Sequence, residues 1–211
     1  MITLNARNLS LDDVQSFLKI EEQENGSFTP LLSLEPLTEF EHQELIQIRK
    51  DFRSYMGARI SEGQVKLLAI APLLRLAGFY HHPIKITLEE GIADINITDE
   101  DTIITGRMDI LAINKVKSKV TNTPFWVLVI ESKNSLVDAL AGLPQLLTYS
   151  SKSLEHQTSV WGLTTNGVNY QFVYIQQGNN HPTYQLLPSL NLMESERAIQ
   201  ILQVLKAICK L

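Results

Sequence analysis

The sequence predicts an α/β protein with a mixed central sheet flanked by helices, read as a single domain over residues 1–211. Three observations predict it. The first eighty residues carry apolar positions at helical spacing, the pattern switches to period two after Ile84, and FWVLVI at 125–130 is apolar at consecutive positions, as in a strand covered on both faces.

The first sixty residues read as helical. Ser10 caps a short helix with Asp12 and Asp13 in its first turn, where carboxylates suit the positive end of the dipole. Thr38 and Glu41 match a capping box, and Leu45, Ile48, Phe52 and Tyr55 form one apolar stripe that Gly57 ends. A second helix starts near Ser61. Val65, Leu68, Ile70, Leu73, Leu74 and Leu76 make it a buried element, Pro72 predicts a kink or fresh start, and Gly78 ends it. Ile84, Ile86 and Leu88 alternate with polar residues, as do Ala93, Ile95 and Ile97; Asp99, Glu100 and Asp101 read as a turn. Two strands follow, Ile103 to Ile113 and Phe125 to Ser132. A helical stretch runs from about Ser135 to Leu154, interrupted around Gly142 and Pro144. Val160 to Thr164 and Tyr170 to Ile175 form a hairpin through Asn166–Gly167, both of which tolerate positive φ. Tyr184 to Leu187 reads as a further strand. Ala198, Ile201, Leu202, Leu205 and Ile208 form the buried face of a last helix.

Composition narrows the class. A chain of 211 residues with 44% hydrophobic content supports one packed core. The one cysteine, Cys209, excludes an intrachain disulfide and fits a reducing cytoplasm, the expected location. No apolar run approaches the roughly 20 residues a bilayer requires, and MITLNARNLSLDD lacks the pattern of a secretion signal. The net charge of −5 argues against a protein that coats nucleic acid non-specifically. Lys115, Lys117 and Lys119, the one basic cluster, read as a solvated loop tip. The five histidines show no zinc spacing, and no G-x-S-x-G elbow or G-x-G-x-x-G loop is present, so acyl transfer and dinucleotide chemistry lack support.

The chemistry concentrates at two strand ends. Glu131 and Lys133 flank Ser132 after the apolar run, and strand alternation directs both to one face and Ser132 away from it. Such charges are costly beside a core unless paired or metal-bound. Asp109 stands in another apolar strand, where the alternative partner is Arg107, two residues back. If the strands are neighbours, Asp109 and Glu131 converge. Two carboxylates suit a hard divalent cation, Mg²⁺ or Mn²⁺, which polarises a phosphate oxygen and acidifies a bound water. Lys133 beside them would orient the attacking water and stabilise charge growing on the phosphate.

An acidic residue on one strand followed by Glu-x-Lys ending the next resembles the PD-(D/E)xK nuclease superfamily. Ser61-Glu62 with the apolar helix, Pro72-Leu73-Leu74 and Gly78-Phe79 resembles the opening of the nuclease domain in type I restriction enzyme motor subunits, here without the motor. Gln145 with Tyr149 resembles the glutamine-tyrosine motif of several such nucleases, and Leu163 to Gly167 the hairpin closing their core. The resemblance implies a restriction-endonuclease-like αβββαβ core over 60–176, with an N-terminal helical extension at 1–59 and a C-terminal strand and helix at 177–211. It implies that Glu62 joins Asp109 and Glu131 in holding the metal, that Gln145 helps to position the site, that DNA is the substrate, and that a restriction-modification partner subunit exists. Residue 62 also suits the first turn of a helix for its dipole alone. No GxxxxGK[ST] phosphate loop accompanies the motifs, so no ATP-driven motor is expected.

Two functions of different class follow. One is a divalent-metal-dependent DNA endonuclease of restriction or repair type. The other is a non-catalytic nucleic-acid-binding or assembly module that keeps the fold. A homodimer would place two sites on the two strands of a duplex, with residues 38–56 and 195–210 as its candidate faces.

Overall fold

The computed structural model describes residues 2–24, 26–91, 95–97, 102–121 and 123–211, with the backbone alone at 96, 97 and 119–121. Ala93, Asp94 and the acidic run Asp99, Glu100 and Asp101 lie outside the described residues.

The chain opens with strand β1 (Ile2–Asn5), which corrects the expectation of an all-helical start. A 3-10 turn (Ala6–Asn8) leads to helix α1 (Leu11–Leu18), where Ser10 and Asp13 form a reciprocal capping box. The short strand β2 (Glu21–Glu22) precedes α2 (Glu39–Tyr55), capped by Thr38 and Glu41. Leu45, Ile48 and Phe52 are buried as the stripe predicts, but Tyr55 is exposed, one turn beyond the point where α2 leaves the core. The helix stops at Tyr55, before Gly57, with right-handed Met56 as its cap.

Ser61 caps α3 (Glu62–Val65) with Gln64 as its partner. The helix then widens into a π segment (Lys66–Ile70) and continues as α4 (Ala71–Ala77). The Ala71 amide reaches back to the Lys66 carbonyl, and the widened turn ends just before Pro72, whose missing donor would otherwise break the ladder. A new α-helical stretch thus begins at Ala71 with Pro72 in its first turn, where the missing amide donor costs least. Gly78, at φ 100°, closes it.

Strands β3 (Ile84–Gly91), β4 (Ile95–Ile97), β5 (Thr102–Thr105) and β6 (Arg107–Asn114) follow. The single strand expected over Ile103 to Ile113 is therefore two. β5 pairs with β1 and β4, β6 with β3 and β7, and the chain changes sheets at Gly106. A Cβ at Gly106 would lie 2.7 Å from the Tyr149 ring, so only glycine fits this crossing. Residues Lys115–Thr121 form helix α5, correcting the reading of a loop tip. Asn114 accepts from the Val116 and Lys117 amides and caps it. Lys117 itself is engaged, over the Phe125 ring at 4.6 Å and with the Leu211 carbonyl as acceptor.

β7 (Trp126–Ser132) leads through a 3-10 turn (Ala139–Gly142) to α6 (Leu143–Ser153) and then β8 (Ser159–Thr165). Residues 133–138 are a loop and turn, so the helical stretch starts later than Ser135. β9 (Asn169–Gln176), β10 (Thr183–Leu186), β11 (Leu190–Asn191) and α7 (Ser195–Cys209) complete the chain. No helix among the described residues is long and apolar enough to cross a membrane.

The result is a mixed α/β architecture. The main sheet runs β2-β10-β9-β8-β7-β6-β3, with β11 also on β9, and β1-β5-β4 form a smaller sheet. β3, β6 and β7 are successive antiparallel neighbours, and α6 carries the chain over to β8, parallel to β7. One apolar layer packs α2, α4 and α7 on the sheet through Phe52, Leu73, Ile201 and Leu205. The other packs α1 and α6 on its opposite face through Val14, Leu146 and Leu147. β7 is buried on both sides, as its run of consecutive apolar residues predicts: Leu128 and Ile130 face the first layer, Val129 the second. Helix α7 buries its apolar face in this core. α2 keeps Phe40, Ile46 and Tyr55 exposed. Trp161 is buried and packs on Tyr174, as a core residue.

The hairpin at Asn166–Gly167 uses one left-handed residue, not two: Gly167 has φ 86°. Asn166 contributes its side chain, accepting from the Val168 and Asn169 amides. A Cβ on Gly167 would meet the Phe52 ring at 2.5 Å. Gly167→Ala is therefore expected to cost about 2 kcal/mol or more and to lower Tm by roughly 5 °C, from left-handed strain and displacement of Phe52. A thermal melt checks this, and an unchanged Tm would mean that the turn relaxes without disturbing the core.

Candidate functional site

The register of β6 and β7 places Asp109. Their last ladder pair is Ile110 with Ile130, so Asp109 lies level with Glu131 on the neighbouring strand. Beyond that pair the Asp109 carboxylate replaces the ladder: its Oδ2 accepts from both the amide and the hydroxyl of Ser132, each at 2.7 Å. Ser132 thus turns toward the site, against the alternation that directed it away, because the strand pair ends here. Its backbone course continues beside β8, with the Lys133 amide donating to the Thr165 carbonyl.

The other oxygen of Asp109, Oδ1, accepts from Lys66 Nζ at 2.7 Å. Lys66 also lies 3.4 Å from Glu62, one turn earlier on the same helix. Burial by itself lowers the affinity of the Lys66 ammonium for its proton, but Asp109 and Glu62 outweigh it and the net shift is upward. Arg107 pairs not with Asp109 but with Glu89, at 3.4 Å.

Glu131 has a side chain 2% exposed. Its Oε1 accepts from Lys133 Nζ at 2.8 Å, while Oε2 is buried without a hydrogen-bond partner among the described residues. Burial raises its pKa from the usual 4.5 to about 7, with the Asp109 charge adding to the rise and Lys133 opposing it. Lys133 also donates to Gln145 Oε1 at 2.5 Å, and Gln145 Nε2 in turn donates to the Tyr149 hydroxyl at 3.3 Å. Burial pushes the Tyr149 phenol up, so it stays protonated.

The five predicted residues therefore fall into two linked sets. Glu131, Lys133 and Gln145 form one chain of contacts. Asp109 and Glu62 are joined through Lys66, which the sequence reading missed, as it missed Ser132. The signal for Lys66 was present in its spacing of four from Glu62 on a helix, the distance of an ion pair. A cleft of about 410 Å³ opens onto Asp109, lined also by Glu62, Lys66, Gln145 and Tyr149, with Arg7 and Arg107 on its walls. Arg7 comes from the turn after β1 and Arg107 from the start of β6.

Among the described residues, no three of His, Cys, Asp and Glu stand together as a ready metal cage. Lys66 occupies the place between Glu62 and Asp109. The donor set nonetheless fits one hard cation. Asp109 and Glu131 offer oxygens from adjacent strands, and the orphaned Glu131 Oε2 is a buried acceptor that costs free energy until something positive meets it.

No protein-family model matches the chain, and no curated protein matches it. A solved fragment structure, titled as an HsdR subunit of a type I restriction enzyme from Vibrio vulnificus, is similar at 17% identity with a TM-score of 0.40. The match covers 68% of this chain and 25% of that one, so the chain spans about a quarter of its length.

The raised pKa of Glu131 predicts a pH dependence. The native state holds this proton more tightly than the unfolded chain does. Its stabilising contribution is therefore complete below pH 4.5 and lost as pH rises through about 7. In chelator, Tm is expected to fall by roughly 5 °C or more between pH 5 and 8, and Glu131→Gln to remove most of that slope. Parallel melting profiles for the two proteins would contradict the assignment.

Proposed function

We propose that the chain is a divalent-metal-dependent endonuclease that hydrolyses DNA phosphodiester bonds, on a restriction-endonuclease-like core within a single domain. The observation that carries this reading is the level placement of Asp109 and Glu131, with the buried, unpartnered Glu131 Oε2 beside Lys133. Asp109 and Glu131 would hold Mg²⁺ or Mn²⁺, with Glu62 acting from the helix through its ion pair with Lys66. When bound, the ion would polarise the phosphate and acidify a water.

The chain's own residues divide the remaining work. Ser132 fixes the rotamer of Asp109 with two hydrogen bonds, so that carboxylate needs no reorganisation on binding. Lys133, anchored by Glu131 and Gln145, has a third N–H free to orient the attacking water or to meet the charge that grows on the phosphate. Gln145 is itself held by Tyr149, which fixes the lysine's direction. Arg7, Lys66 and Arg107 around the cleft supply positive charge toward a phosphate backbone, though the chain as a whole carries −5. The double-strand cut of a restriction or repair enzyme would use two such chains, with the exposed residues of α2 as the candidate face.

A specific observation favours the second reading, a nucleic-acid-binding or assembly module. Lys66 and Lys133 already neutralise Asp109 and Glu131 in part, without a metal. The experiment that separates them incubates the protein with supercoiled, linear and branched DNA in Mg²⁺ or Mn²⁺, beside Lys133→Ala. Cleavage is expected to fall by about 10² or more in the variant, while its melt stays close to the parent's. An unchanged cleavage rate would remove Lys133 from the chemistry. DNA binding without cleavage on every substrate, with no Asp109-dependent metal binding by calorimetry, would favour the module.

A further inference from the structure

We infer that Lys66 stands in for a second cation, so that the site takes a single divalent ion, on the Glu131 side of Asp109. This rests on the metal reading above and refines it.

The inference comes from counting acceptor sites. A carboxylate oxygen has two lone-pair directions. Both on Asp109 Oδ2 are used, by the Ser132 amide and hydroxyl. One on Oδ1 is used by Lys66. On Glu131, Oε1 takes Lys133 in one direction and Oε2 has no partner among the described residues. What remains open on the two strands is Glu131 Oε2 in full and one further direction each on Glu131 Oε1 and Asp109 Oδ1. Two carboxylate oxygens and solvent are a sufficient set for one ion such as Mg²⁺, which keeps several waters and uses one or two carboxylates.

A second ion would need Glu62 together with Asp109 Oδ1, and Lys66 lies against both. Its side chain is 23% exposed, so it is partly withdrawn from solvent and does not simply trail in water. The backbone under it is also held. Lys66 is the first residue of the π segment, its carbonyl accepts the Ala71 amide, and Glu62 lies one turn before it on the continuous helix. The charge count agrees. Glu62, Asp109 and Glu131 stand against two ammonium groups, so one divalent ion already turns the site positive, as a phosphodiester anion needs. A second ion there would meet the Lys66 ammonium, which already pairs with both Glu62 and Asp109 Oδ1.

The test is calorimetric titration of Mn²⁺ alone into the intact chain. The parent is expected to bind one ion, lost in Asp109→Asn. Lys66→Met, which keeps the apolar stem and removes the charge, is expected to bind two, and Lys66→Met with Glu62→Gln to return to one. Thermal melts establish that each variant is folded, and Lys66→Gln takes the place of Lys66→Met if that variant does not fold. Two ions in the parent, or one in the folded Lys66 variant, would overturn the role of Lys66 while leaving the metal reading intact. No Mn²⁺ binding in the parent would overturn both.

Discussion

The Asp109 carboxylate ties together three elements. It lies on β6, takes the Ser132 amide and hydroxyl from β7, and takes the Lys66 ammonium from the helix that packs over the sheet. Charge-assisted hydrogen bonds of this kind are short and directional, so each fixes a position as well as contributing free energy. The ladder between β6 and β7 ends at Ile110 and Ile130, and the carboxylate takes over where backbone pairing stops. Glu131 is level with it for the same reason. Without this junction Lys66 would lose its shorter ion pair and the end of β7 would be held by β8 alone.

The cost lies one residue away. Glu131 is almost fully buried, and withdrawing a carboxylate from water is expensive unless its oxygens are satisfied. Lys133 satisfies one oxygen, and nothing among the described residues satisfies the other. A hydrophobic pair of similar volume would stabilise this strand end at least as well. The surrounding sheet tolerates the penalty because β7 is otherwise a run of Val127, Leu128, Val129 and Ile130 packed on both faces. A costly buried acid paired with a base at a strand end is what the proposed metal site would put to use.

The sequence was a good guide wherever the deciding partner is close along the chain. Ser10 caps its helix, the box of Thr38 with Glu41 forms, and a helix starts at Ser61, each decided by residues within one turn. The apolar stripes of α2 and α7 are buried with few exceptions. It misled where the partner is distant. β1 is a strand because Thr102–Thr105 lies beside it, and no local pattern in ITLN announces that. The run from Ile103 to Ile113 is continuous in hydrophobicity, yet it divides between two sheets where Tyr149, from another helix, presses on Gly106. At Asn166 the side chain, not a second left-handed residue, completes the turn.

By itself the sequence determined the α/β class of the fold and the capped starts of α1, α2 and α3, because these depend on periodicity and on residues a turn apart, and it singled out five polar residues as candidates. Only the tertiary structure decided how those five are connected. Strand register made Asp109 level with Glu131, the end of the ladder turned Ser132 inward, and the course of the helix from Glu62 into the π segment set Lys66 between Glu62 and Asp109. Each is a contact between elements far apart in the chain. Hydrogen-bond geometry and desolvation act on distances in space, which a linear pattern does not carry.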